Sequence, residues 1–169
     1  MSLARAVLVP GVLALLPEYA GLEDPVVGLR AACLDAVRWL GAKPTILADP
    51  QGERVARSLL SAAGGFEARS ARTSTTAGRY LVVGNGSARR TEKAPGHLDE
   101  RAAAFDDGLR AALASSDARW SSRGLGDDLL ASLDGIDRLL DVLPPGVEAT
   151  VDYDDDPFGV QYWVMRWQW

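Results

Sequence analysis

The sequence predicts an α/β fold, a three-layer α/β/α arrangement around a mixed, mainly parallel sheet that ends in a C-terminal antiparallel hairpin. Three observations carry this. Short apolar runs alternate with helical patterns through the first half of the chain, in the order βαβαβ. Helical patterns then follow one another without a strand between them. The last segment changes period: Val147, Ala149, Val151 and Tyr153 alternate with polar residues, and a turn leads into a second apolar run.

Each element has its own signal. Residues 4–9 (ARAVLV) read as a buried strand ended by Pro10-Gly11. Asp24-Pro25 predicts a helix start, with Asp as N-cap and Pro in the first turn. Leu29, Cys33, Val37 and Leu40 follow at helical spacing, and Gly41 is the expected stop. Residues 44–48 (PTILA) form a second strand. Residues 52–63 form a second helix with Val55, Leu59 and Leu60 on one face, ended by Gly64-Gly65. Residues 67–78 are rich in Ser, Thr and Arg and read as a loop. Residues 80–83 (YLVV) are the third strand. Asp99 is the expected cap of a helix to residue 114, with Ala102, Phe105, Leu109 and Leu113 inward. Residues 127–143 predict one or two helices with Leu130, Leu133, Ile136 and Leu140 as the apolar set, ended by Pro144-Pro145-Gly146. The closing hairpin has its turn at residues 154–159 and its second strand at 160–167. Trp163, Met165 and Trp167 lie on one face of that strand, and Val160, Tyr162 and Val164 on the other. Such a strand is either covered on both sides or used in self-association, the basis for expecting a homodimer.

The 169 residues predict one domain, residues 1–169, with no internal repeat. Hydrophobic content of 47% and charged content of 24% are those of a soluble globular protein. The net charge of −5 argues against nucleic acid or an anionic membrane as partner. No apolar run is long enough to span a bilayer, and residues 1–16 lack the pattern of a signal peptide. The single cysteine, Cys33, permits no intramolecular disulfide, which fits a reducing cytoplasm, and its helical pattern predicts plain core packing.

In α/β sheets, ligands bind beyond the carboxyl ends of parallel strands. That selects three loops: residues 10–21, 49–53 and 84–98. The third contains Gly84-Asn85-Gly86 but fails as a dinucleotide fingerprint, because Arg89 stands at the third glycine position, and it has no Walker lysine. What remains is a turn of backbone N–H groups with Ser87, Arg89 and Arg90, suited to a small carboxylate or phosphate. The structural alternative is a glycine turn whose arginines pair with Glu92, Glu100 or solvent. The candidate ligand-binding set is Asn85, Ser87, Arg89, Arg90, Asp49 and Glu18. No nucleophile has a base beside it, so no catalytic residue is assigned. Asp152, Asp154, Asp155 and Asp156 lack the pattern of a calcium loop and read as a hairpin turn with its carboxylates in water.

Three segments, "LVPGVLALLPEYAG", "YLVVGNGSARRTEKAPGHLDERAAAFDDGL" and "YDDDPFGVQYWVMRW", resemble the B-subunit family of class III extradiol ring-cleavage dioxygenases, in its short actinobacterial branch. The resemblance implies a Pro-His-x-Pro element after the first strand, whose histidine binds non-haem iron. Pro10 matches, but Gly11 stands at that histidine and Leu13 at the second proline. It also implies a Ser-His pair after a later strand. Ser87 matches, but Ala88 stands at the acid–base histidine. A second metal histidine is implied between these loops, where residues 51–80 contain none. Iron(II) in such sites needs two imidazoles and a carboxylate, and the chain has one histidine, His97, in a stretch that reads as exposed. The expectation is therefore no metal, no cofactor and no ring cleavage. Three functions stay open: a small-anion-binding or assembly module, an enzyme of hydrolase or transferase type using the loop at residues 84–90, and a homodimeric interaction protein.

Overall fold

Arg5–Val9 (β1) is wholly buried after its first residue and sits in the middle of a five-stranded sheet. The other strands are Thr45–Leu47 (β2), Arg79–Val83 (β3), Thr150–Asp155 (β4) and Tyr162–Gln168 (β5), in the spatial order β2-β3-β1-β5-β4. β1 pairs parallel to β3, with Val7 opposite Leu81, and β3 pairs parallel to β2. β5 runs antiparallel to β1, with Leu8 opposite Met165, and antiparallel to β4. The structure, a computed structural model, describes residues 3–68, 78–120 and 122–169. Most of the expected loop at residues 67–78 lies outside the described residues.

Strand alternation sends side chains into two cores. Val7, Val9, Leu81, Val83, Tyr162 and Val164 face the helices Val27–Leu40 (α1) and Pro50–Gly64 (α2). Ala6, Leu8, Val82, Trp163, Met165 and Trp167 face Ala102–Ser115 (α3) and Asp134–Val142 (α4). The architecture is thus the three-layer α/β/α fold with a parallel core and an antiparallel C-terminal pair. Burying both faces explains why β5 is apolar throughout. Trp163 and Trp167 are each 1% exposed, so the aromatic strand is interior and offers no surface for self-association. Cys33 is packed in the first core, and burial pushes its thiol up.

α1 and α2 lie on the same face, yet β1 to β2 moves outward past the place of β3, and β2 to β3 moves back. Two crossovers on one face in opposite directions have opposite hands, so one of them departs from the usual right-handed rule.

Several boundaries differ from expectation for identifiable reasons. The Asp-Pro signal acts at α2, where Asp49 is the N-cap, accepting from Gly52 N at 2.7 Å, and Pro50 opens the helix. At α1 the same dipeptide does not cap. Asp24 accepts from Val26 N at 3.0 Å and from Arg30 Nε at 2.6 Å, and the helix begins at Val27. Asp99 precedes α3 by a turn, accepting from Arg101 N at 2.9 Å, and the helix begins at Ala102. Leu130 is not in the core. Its φ is +56°, it is 52% exposed, and Leu129 is buried instead. The antiparallel bridge between Asn85 and Ser132 holds the chain extended there and delays α4 to Asp134.

Gly28 lies in α1 with open space around the position of a Cβ. Gly28→Ala is expected to stabilise the domain by about 0.5 kcal/mol, by restricting the unfolded chain and favouring the helix. Denaturant titration checks this through a raised midpoint at unchanged slope.

Candidate functional site

β1 and β3 are neighbouring parallel strands whose chains leave in opposite directions. After Val9 the chain turns toward the α1/α2 face; after Val83 it leads to α3 on the other. Such a divergence opens a crevice at the carboxyl ends of the strands. One lip carries Pro10 and Gly11, the other Gly84 and Asn85. Gly84 N donates to Val9 O at 3.0 Å, closing the base. Gln51, in the first turn of α2, donates from Nε2 to Gly11 O at 3.0 Å. A Cβ at Gly11 would stand 3.9 Å from Asn85 Oδ1 and 3.3 Å from Val83 Cγ1, so a side chain there would enter this crevice.

The loop after Asn85 is bound into the structure. Ser87 is fully buried, donating from N to Asp106 Oδ1 at 2.7 Å and from Oγ to Asp106 Oδ2 at 2.6 Å. Arg90 joins Asp106 Oδ2 at 3.1 Å through Nη1 and Asp156 Oδ2 at 2.6 Å through Nε. Backbone bonds stitch the loop to the approach to β5: Gly86 N to Gln161 O, Gln161 N to Ser87 O and Arg90 N to Gly159 O. Burial pushes the Asp106 carboxyl up, against the bonds from Ser87 and Arg90 that pull it down. Burial alone would lower the Arg90 guanidinium, but its bonds to Asp156 and Asp106 outweigh that and hold it above its usual value.

The six candidate residues therefore separate. Ser87 and Arg90 are together but engaged by carboxylates, so their donors reach an anion only if Asp106 and Asp156 give way. The expected pairing of the arginines with Glu92 or Glu100 is replaced by these partners. Asn85 stands at the crevice, its Nδ2 donating to Gly86 O at 3.2 Å. Arg89 lies outside it, donating from Nη1 to Asp128 O at 2.9 Å, and its buried Nε has no hydrogen-bond partner among the described residues. Asp49 is occupied as the α2 cap. Glu18 forms an exposed ion pair with Arg54.

The acidic hairpin also differs from expectation. Three of its four carboxylates are not left to water: Asp152 pairs with Arg166, Asp154 with Arg110 and Asp156 with Arg90, while Asp155 is exposed and accepts from Asp156 N. Gln161, missed at the sequence level, is 6% exposed and donates to Asp154 Oδ1 at 2.8 Å.

The donor set does not fit iron. Gly11 has no side chain, Ala88 is packed in the core, and His97 is exposed, with Nδ1 3.3 Å from Glu92 O. Among the described residues no three His, Cys, Asp or Glu side chains gather closely enough to hold a metal ion. No described helix is long and apolar enough to cross a membrane. Fold and site together define a three-layer α/β domain with a crevice at the β1–β3 divergence. Compared with known proteins, the chain matches no family model, no curated protein and no solved structure.

Proposed function

We propose that this chain is an extradiol-dioxygenase-like domain without ring-cleavage chemistry that acts as a binding module for a small carboxylate or phosphate. Engagement of Ser87 and Arg90 by Asp106 and Asp156 supports the loss of ring cleavage, and the observation that carries anion binding is Arg54, held by one exposed carboxylate on the helix whose Gln51 reaches the crevice lip. A loop that delivers protons must keep its side chains free to meet a substrate, and here they bind the domain's own carboxylates. Arg54, three residues from Gln51 on α2, is the cation on the side of the crevice lip, and it suits recognition of an anion. The single buried cysteine supports a cytoplasmic location.

Two measurements test this. Metal analysis is expected to find far less than one iron per chain, and oxygen uptake with catechol is expected to match buffer. Stoichiometric iron with oxygen-dependent opening of catechol overturns the reading. A thermal-shift panel of carboxylates and phosphates is expected to yield a stabilising ligand. At a hundredfold excess over Kd, the gain is about 2.7 kcal/mol, an upward shift of roughly 5–10 °C.

A further inference from the structure

The cations near the crevice are held with unequal strength. Arg90 is gripped by two carboxylates, one of them buried. Arg54 pairs with Glu18, and these side chains are 61% and 52% exposed. Glu18 belongs to a flap, residues 17–23, in which every residue is exposed. The flap hangs from one clamp. Arg30 of α1 donates to Ala14 O and Leu15 O at 2.6 Å each, before the flap, and to Asp24 Oδ2 at 2.6 Å, after it. Both ends are fixed by the same guanidinium, and the Glu18–Arg54 pair ties the start of the flap to α2.

Arg54 and Gln51 are three residues apart on α2 and so share a helix face. Gln51 reaches the lip of the crevice at Gly11 O. We propose that Arg54 and Gln51 form an anion site at the mouth of the crevice between Gly11 and Asn85. Glu18 fills it in the free protein as an internal stand-in, and residues 17–23 are a lid that swings out when a small carboxylate or phosphate takes its place. An exposed ion pair contributes little, and the incoming anion offers Arg54 the same charge and acceptor geometry, so exchange is easy here and hard at Arg90. This inference rests on the anion-binding reading above.

The test is titration calorimetry with inorganic phosphate and with acetate on the wild type, Glu18→Gln, Arg54→Gln and Arg57→Gln. Arg57 pairs with Glu53 on the same helix and serves as the control. Removing the internal competitor in Glu18→Gln is expected to tighten binding about two- to fivefold, equivalent to about 0.4–1 kcal/mol. Arg54→Gln is expected to weaken it about tenfold or more, and Arg57→Gln to leave it unchanged. Hydrogen exchange across residues 17–23 of the wild type is expected to quicken on adding phosphate. All three substitutions are on the surface, and melts within about 2 °C of wild type establish folding. Binding no tighter in Glu18→Gln, or equal in Arg54→Gln and wild type, overturns the proposal. If the probes bind wild type and Arg54→Gln equally, the anion-binding reading stands and this site falls. If neither probe binds any of the proteins, both fall.

Discussion

Asp106→Ala is expected to destabilise the domain by about 3–5 kcal/mol, the range for breaking a buried charge pair from one side. Three donors lose their acceptor at once: Ser87 N, Ser87 Oγ and Arg90 Nη1. Ser87 is fully buried and cannot turn to water. For a domain of this size each kcal/mol moves the midpoint by about 2–4 °C, so a fall of roughly 10 °C is expected. Asp106→Asn keeps an acceptor for Ser87 N and is expected to lose less. The pair also gives a pH test. Burial raises the folded-state pKa of Asp106 above its unfolded value of 3.8. Its titration therefore contributes stability that is fully present below that value and is lost as pH rises through the folded pKa. Asparagine does not titrate. The stability gap between wild type and Asp106→Asn is thus expected to be widest in acid and to narrow toward neutral pH. A gap that widens with rising pH would mean that attraction to Arg90 outweighs burial at this carboxylate.

The strands and helices were legible because their patterns report burial, and burial is what the fold satisfies. β5 shows this best: apolar side chains on both faces read as a strand covered twice or as an interface, and two helical layers cover it. Asp106 is legible in the same way. It stands four residues after Ala102 and three before Leu109, both inward-facing, so a carboxylate there had to be buried and in need of donors. The loop at residues 84–90 follows the end of β3 at Val83, as the apolar run before it indicates. Its partners were not foreseeable, because Asp106 and Asp156 meet Arg90 only after the α3 layer and the hairpin have docked. Asp24-Pro25 and Asp49-Pro50 carry one local signal, and only the second became a cap. At the first, the six-residue spacing to Arg30 offered Asp24 a charged partner that competes with the helix N-terminus. Leu130 failed for a similar reason: its place in a helical period was overruled by the bridge from Ser132 to Asn85, a contact 47 positions apart in the chain.

Gly135→Ala is expected to be the most damaging single-methyl addition in the α4 region, lowering stability by about 3 kcal/mol or more. A Cβ at Gly135 would lie 2.4 Å from Leu47 O and 2.4 Å from Val83 O. Both obstacles are backbone atoms at the ends of adjacent strands, so neither can swing aside as a side chain would. Either α4 lifts from the sheet or β2 and β3 spread. Lifting α4 pulls on Ser132, two residues ahead of the helix, whose N and O are bonded to Asn85 O and N at 3.0 and 3.1 Å. The crevice lip at Gly84 and Asn85 therefore moves with the helix. The expected result is a lowered melting temperature together with faster hydrogen exchange at Asn85 and Ser132, while exchange in α1, on the opposite face, follows only the global loss of stability. A stability change confined to a few tenths of a kcal/mol, with exchange at the Asn85–Ser132 bridge unaltered, would show that the first turn of α4 does not rest on the strand ends at all.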